Sequence, residues 1–189
     1  MMADEEHWLV LKAQEGCPKS FDQLLARHEK PVFRHVHRMV RSDDDAYDAL
    51  QQTFLTVVKS IRQLRQRESF RPWLFGVATR VCLKMLSRRR PTVALGEDIE
   101  EEAPDTAPSP EGAALANERR DLLLDLVLTL SPRIRSVMLL HFYEGLSLAD
   151  VAAALEISPG TAKSRLAAGL QKLRSHEEVR DHEPRTRTG

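Results

Sequence analysis

Between Asp43 and Ile61 the apolar residues Tyr47, Leu50, Phe54, Val57 and Ile61 recur at steps of three and four, the spacing of one buried helical face. A helical period runs through nearly all the chain outside Pro91–Pro110, no stretch alternates like a strand, and there is no internal repeat. The pattern predicts a short helix over Asp4–Gln14 that ends near Gly16, and a longer one over Lys19–Val40, adjusted at Pro31. Ser42 is the expected N-cap of the next helix, with Asp43, Asp44 and Asp45 in its first turn, where carboxylates suit the dipole. A polar loop, Arg62–Ser69, precedes a helix from Pro72 to about Arg89. Further on, helices are expected over Glu111–Leu130, from Ser131-Pro132 to Phe142, from Ser147 through Leu155, and from Ser158-Pro159 to about Arg174. Serine followed by proline is a cap and first-turn signal. Residues 177–189 read as a frayed tail.

Between the two sets of helices, Pro91, Pro104, Pro108 and Pro110 punctuate a segment poor in large apolar residues, which is expected to lack structure of its own. The fold class expected is therefore all-α, with two small helical domains at 1–90 and 113–176, a flexible acidic linker at 91–112 and a disordered tail at 177–189. The formal net charge of zero hides a strong asymmetry. Residues 1–90 carry 17 Lys/Arg against 11 Asp/Glu, residues 91–116 carry seven acids and no base, and residues 117–189 carry 11 bases against 10 acids. Two basic surfaces separated by an acidic strip point to a polyanion touched at two places. The acidic start, Met1 to Glu6, is unlike a secretory signal, and the apolar run Leu122–Leu130 is too short to insert in a membrane. Cys17 and Cys82 have no partner spacing for zinc or redox chemistry and read as inert thiols. The expected location is the cytoplasm.

The clearest functional pattern is the pair Ser147–Leu155 and Ser158–Arg174, two helices joined by a turn of about three residues, as in a helix-turn-helix. In the second helix Ala162, Leu166, Gly169, Leu170 and Leu173 fall on one inward face, whereas Gly160, Thr161, Lys163, Ser164 and Lys172 lie largely elsewhere, with Arg165 near the boundary. Small and hydrogen-bonding residues at a helix start suit close approach to phosphates and base edges. An ordinary helical hairpin with a solvated basic face would have the same spacing.

The residues narrow the choice. Leu130-Ser131-Pro132-Arg133-Ile134-Arg135-Ser136-Val137-Met138-Leu139-Leu140, Glu144-Gly145-Leu146-Ser147-Leu148-Ala149-Asp150-Val151-Ala152 and Ile157-Ser158-Pro159-Gly160-Thr161-Ala162-Lys163-Ser164-Arg165-Leu166 resemble region 4 of the extracytoplasmic-function sigma factors. Asp45-Ala46-Tyr47-Asp48-Ala49-Leu50-Gln51-Gln52-Thr53-Phe54-Leu55 and Phe70-Arg71-Pro72-Trp73-Leu74-Phe75-Gly76-Val77-Ala78-Thr79-Arg80 resemble region 2 of the same family. The order of the two blocks and the linker between them also match.

The resemblance implies a fold of two helical regions and a sigma factor's role: binding core RNA polymerase, recognising the promoter elements near minus 35 and minus 10, and helping to melt DNA. For the polymerase it implies Asp48, Gln51, Gln52 and Leu55. For the minus-10 element it implies Lys59, Arg62, Arg65, Arg67 and Phe70, to which the successive bases Arg80, Lys84 and Arg88 of the following helix are added by their charge as a phosphate-binding face; for the minus-35 element it implies Ser158, Gly160, Thr161, Lys163, Ser164, Arg165 and Lys172. Phe70 and Trp73 offer stacking surfaces near the expected single strand, with Trp73, beside Leu74 and Val77, read as core. An anti-sigma factor is a further implied partner; the acidic linker either threads the polymerase's RNA exit path, as the resemblance implies, or is a soluble spacer, which its composition fits equally well. Core polymerase, promoter DNA and an anti-sigma factor are thus the expected partners, with no cofactor and no metal.

Several positions depart from the family's pattern. Glu156 stands where glycine is usual in the turn, so a left-handed backbone there would be strained. Ala168-Gly169 replaces Arg-Ala, which removes a phosphate contact and loosens the helix. Arg80 and Lys84 replace asparagine and aspartate, so Arg80, Lys84 and Arg88 form successive i,i+4 like-charge pairs. Each pair costs an isolated helix roughly 0.2–0.5 kcal/mol, and phosphates would neutralise them.

An enzyme reading has little support: the seven histidines form no metal motif, and neither a phosphate loop nor a nucleophile elbow is present. The alternative from a different class is a helix-turn-helix regulator that binds duplex DNA on its own, its first half serving dimerisation. A region 2-like block has no place in such a regulator.

Overall fold

The computed structural model describes residues 2–66, 69–89 and 126–182. Among these, every regular element is helical. The first half contains α1 (Met2–Gln14), α2 (Pro18–Val40), α3 (Asp43–Ser60), a 3₁₀ turn (Ile61–Gln63) and α4 (Phe70–Arg89). The second contains a helical turn at 126–129, α5 (Pro132–Met138) running into a π-helical turn (Leu139–Tyr143), α6 (Leu148–Leu155) and α7 (Pro159–His182). The expected linker at 91–112 and most of the expected helix at 111–130 lie outside the described residues.

Local chemistry explains the element ends. Ser42 accepts a hydrogen bond from the Asp45 amide at 3.4 Å and Ser147 accepts one from Asp150 at 3.1 Å, each satisfying an otherwise orphaned amide. Arg41 ends α2 in the left-handed conformation, its amide donating to the His37 carbonyl. One difference concerns the end of the chain: α7 continues to His182, through part of the expected tail. No proline or glycine interrupts the chain between Leu170 and Pro184, so nothing local stops the helix at Arg174.

A second difference concerns α3. Its buried stripe is Asp45, Ala46, Ala49, Thr53 and Val57, while Tyr47 is 62% exposed and Leu50 and Phe54 are half-buried. The small residues let α3 sit close to α2 and α4, and the larger side chains are pushed to the rim. Size at the contact line, rather than hydrophobicity alone, sets the rotation of the helix.

The two halves share one core that runs from Leu24, Val36, Met39 and Phe75 to Leu139, Leu140 and Val151. Polar groups cross the same boundary. Buried Arg135 donates to the carbonyl of Met39 at the end of α2 (2.8 Å) and to those of Leu128 (2.6 Å) and Leu130 (3.1 Å). His35, fully buried on α2, lies 2.8 Å from Thr79 Oγ1. The single Thr79 hydroxyl proton goes to the Phe75 carbonyl at 2.8 Å, so Thr79 accepts from His35 Nε2. That leaves Nδ1 facing the Glu144 carboxylate of the second half at 3.5 Å. Arg71 reaches the other Glu144 oxygen at 3.4 Å.

Two predictions follow from this packing. Arg135→Leu leaves three carbonyls short of a buried donor and should cost about 2–4 kcal/mol, read as a lower urea midpoint with an unchanged slope. Glu6 is held below the ordinary carboxylate value of 4.5, first by its hydrogen bond with His28 on α2, against the opposing effect of burial. A carboxyl lowered in the fold stabilises it above the unfolded value, and the contribution fades as pH falls through the folded one. Glu6→Gln should therefore lower urea stability at neutral pH, and the gap to wild type should narrow as pH falls below the ordinary carboxylate value of 4.5.

Candidate nucleic-acid interface

The second helix of the helix-turn-helix begins with a satisfied cap. Ser158 Oγ accepts from the Thr161 amide at 3.0 Å and lies 2.9 Å from the Thr161 hydroxyl, and Ser164 donates to the Thr161 carbonyl at 3.0 Å. Ser158, Thr161 and Ser164 thus have hydroxyls already engaged in the helix start, with acceptor capacity left over. Gly160, Lys163 and Ser164 are exposed, and Arg165 and Lys172 are half-buried. Ala162 and Gly169 are buried and Leu166, Leu170 and Leu173 pack on the core, so the inward face is the one expected from the sequence. Gly169 does something the sequence did not reveal: an added Cβ would lie 2.8 Å from Met138 Sδ and 3.1 Å from Ile134 Cγ2. The missing side chain is where α5 presses into α7.

Glu156 occupies the turn with φ 57° and ψ 40°, the left-handed region. Its amide is close to the carbonyls of Ala152 and Ala153, closing α6. The strain anticipated for a residue other than glycine is present.

On α4, Lys84 and Arg88 are exposed and Arg80 is 33% exposed. The guanidinium of Arg80 is occupied: Nη1 donates to the Ala154 carbonyl at the end of α6 and lies 3.3 Å from Glu156 Oε1. Arg62 and Arg65 are exposed in the loop after α3, whereas Arg67 lies outside the described residues. Phe70 corrects an expectation. It is fully buried, edge-on to His28 at 5.4 Å and beside Trp73 at 6.0 Å, so it serves as a core side chain and offers no face for a base. An aromatic at the first position of a helix packed on α2 and α3 is drawn inward by the area it buries. Trp73 packs on the core as expected.

Gln14, which the sequence reading passed over, positions the loop. Its side-chain amide donates to the carbonyls of Ile61 (3.0 Å) and Leu64 (2.7 Å). No motif marks it, because the contact spans about fifty residues.

The surface of α3 has a different character. Asp48, Gln51, Gln52, Leu55 and Lys59 are all exposed, joined by Tyr47 and Val58. Between α2 and α3 runs a groove of about 560 Å³ lined by Asp22, Leu25, Ala26, Glu29, Tyr47, Asp48, Leu50, Gln51 and Phe54. Its chemistry is an apolar floor with carboxylate and amide rims. Tyr47 was assigned to the core by its spacing, which is why this groove was not foreseen in full.

Of the two thiols, Cys82 is buried and its pKa is pushed up to about 12 by desolvation, consistent with an inert side chain. Cys17 departs from that expectation. The Ser20 hydroxyl donates to its sulfur at 3.4 Å, and this contact with nearby amides lowers its pKa. Among the described residues no cluster of His, Cys, Asp and Glu could hold a metal ion, and no helix is long and apolar enough to cross a membrane.

Residues 24–92 match the family model Sigma-70 region 2, and residues 120–173 match Sigma-70, region 4. The chain is 33% identical over 161 residues to the RNA polymerase sigma factor CarQ of Myxococcus xanthus, covering 85% of this chain and 91% of that protein. It is 30% identical over 166 residues to the ECF RNA polymerase sigma-E factor of Haemophilus influenzae, covering 84% and 87%. Its fold resembles the sigma factor RpoE of Bartonella quintana, solved with the anti-sigma factor NepR, with a TM-score of 0.62 and 21% identity over 85% of this chain and 98% of that one.

If Gln14 holds the loop, Gln14→Ala should speed amide hydrogen exchange in residues 61–66 by roughly tenfold, the effect of losing about 1–2 kcal/mol of hydrogen bonding. Exchange in the centres of α3 and α4 should not change.

Proposed function

We propose how this chain, which belongs to the extracytoplasmic-function sigma factors of the sigma-70 family and is an RNA polymerase sigma factor, divides its work between its two halves. The groove between α2 and α3, lined on one side by Asp48 and Gln51, docks core RNA polymerase together with the exposed Gln52 and Leu55 of α3. A basic set on the first half, Lys59, Arg62, Arg65, Arg80, Lys84 and Arg88, meets the minus-10 element. Arg67, expected from the sequence, joins that set by its place in the chain two residues after Arg65. On α7, Ser158, Gly160, Thr161, Lys163, Ser164, Arg165 and Lys172 meet the minus-35 element.

The observation that supports this division most directly is the segregation of surface chemistry. An apolar, acid-rimmed face lies on α3, and exposed bases lie on α4 and the start of α7. A polyanion is repelled by the first and attracted by the others, whereas a partner helix fits the groove and finds amides and carboxylates at its rim. The first half, 1–90, and the second, 113–176, act as the two working units, with 91–112 as the connection between them. The protein acts in the cytoplasm with the polymerase and performs no chemical step of its own. An anti-sigma factor is a natural further partner, since a protein of the same fold is solved in complex with one.

Equilibrium binding to purified core polymerase tests the assignment. Wild type should bind tightly, and Asp48→Ala with Gln52→Ala should raise the dissociation constant about tenfold or more, the loss of two rim contacts at an interface centre. Unchanged affinity in a folded double variant would move the docking site elsewhere. The regulator reading would regain ground only if the free protein bound a palindromic duplex by itself.

A further inference from the structure

Six bases lie on α2 and its C-cap, Lys19, Arg27, Lys30, Arg34, Arg38 and Arg41, and none belongs to the sets assigned above. Two of them are occupied: Arg27 pairs with Glu5 of α1 at 2.5 Å, and the Arg38 guanidinium lies over the Tyr143 ring at 4.7 Å. Lys30 and Arg34, between those two, are exposed and form no ion pair among the described residues. They stand one turn apart, where like charges oppose each other on a helix. Both border a second hollow between α2 and α3, of about 430 Å³, lined by Glu29, Lys30, Phe33, Arg34, Tyr47 and Leu50. It continues the groove described above and shares Glu29, Tyr47 and Leu50 with it, but the charge differs. Asp22, Glu29 and Asp48 border the groove, whereas two bases and one carboxylate border the hollow. Phe33 and Tyr47 form its aromatic wall, their ring centroids 4.8 Å apart, and Tyr47 remains 62% exposed.

We propose that this hollow binds a nucleoside phosphate, with the base against Tyr47, Glu29 accepting from the base's amine, and Lys30 and Arg34 holding the phosphates. Charge selects the ligand class first. A partner helix whose bases suit Asp22 and Asp48 carries the wrong sign for Lys30 and Arg34, so this end calls for an anion. A bare phosphate would leave the aromatic wall and Leu50 unused. A planar base uses them, because every base has a π-face to stack on an aromatic side chain. Arg34 offers a planar fork that matches two phosphate oxygens, and Lys30 adds a point charge on a flexible stem. The Glu29 carboxylate accepts hydrogen bonds and repels phosphate, so it sorts the two ends of the ligand. The volume falls within the range of small-ligand sites. An open hollow without a glycine-rich loop implies a dissociation constant on the order of 10–100 μM. Because Glu29, Tyr47 and Leu50 line both spaces, a bound nucleotide occupies part of the surface assigned to core polymerase, and the two exclude each other. That last consequence rests on the polymerase assignment above.

The test uses the full chain with ADP and GDP, which carry both a base and phosphates and are not substrates for RNA synthesis. Calorimetric titration should show wild type binding at least one of them, with the bare nucleoside and with pyrophosphate each about tenfold weaker or more. Lys30→Gln with Arg34→Gln should raise the dissociation constant about tenfold or more, and Tyr47→Ala about fivefold or more. Circular dichroism identifies a variant that has failed to fold, and the two variants alter different helices, so either one keeps the test decisive. No binding of either nucleotide at millimolar concentration would overturn the site, and so would equal affinities in wild type and the double variant. Pyrophosphate binding as tightly as the nucleotide would overturn the base pocket and leave an anion patch. A single-stranded oligonucleotide that binds through Lys30 and Arg34 while neither nucleotide does would give the surface to nucleic acid instead. In a second arm, the nucleotide at ten times its dissociation constant should raise the apparent dissociation constant of wild type for core polymerase about tenfold. The Lys30→Gln, Arg34→Gln protein should bind polymerase equally well with and without it. Nucleotide binding with no effect on polymerase would overturn the exclusion. Nucleotide binding by a wild type that fails to bind polymerase under any condition would support the site and place the failure in the polymerase assignment.

Discussion

Two helical backbones come into direct contact only where a side chain is missing between them. Gly76 provides that gap on α4, and the end of α6 fills it. Once the backbones touch, Arg80 is within reach of the Ala154 carbonyl, which lies in the last turn of α6 and so lacks an intrahelical partner. The orientation of the helix-turn-helix relative to the first half follows from this single approach. A bulkier residue at position 76 would move α6 and, with it, every polar link across the boundary.

Those links explain why the second half is not simply resting against the first. Glu144 is buried beside His35 and Arg71, both from the first half, and the Arg71 guanidinium at 3.4 Å offsets part of its loss of water. Arg135 is buried in the other direction, its guanidinium spread across carbonyls from both halves. The boundary combines a continuous apolar core with charges that each depend on the opposite side. Such an interface holds one arrangement firmly, because a shifted one would strand a buried charge.

How much of this was legible in the sequence differs by kind of information. The helix caps at Ser42, Ser147 and Ser158 and the inward face of α7 could be read directly, because they depend on residues three or four apart. Tyr47 was misplaced because periodicity fixes a helical face only to within a residue or so, and the contact size set by Ala46 and Ala49 decides the rest. Phe70 was taken for a surface contact because its loop-adjacent position carries no sign of the place against His28 of α2 that it fills. Gln14 and the Arg80–Glu156 pair left no local mark at all, since each spans a sequence distance over which no pattern rule applies. Glu156 was nonetheless visible as an oddity, a residue other than glycine where the backbone had to turn left-handed.

That oddity bears on what the residue is for. A left-handed backbone costs a residue other than glycine roughly 1–2 kcal/mol, and an ion pair as exposed as this one contributes about 0–1 kcal/mol. The pair therefore does not recover the strain, and stability alone gives no reason to place glutamate rather than glycine in the turn. Its electrostatics do give one. The carboxylate stands three residues before Pro159, the first residue of α7, and pairs with Arg80 of α4, so it ties the turn to the first half. A glycine in its place would lower the strain and remove that tie.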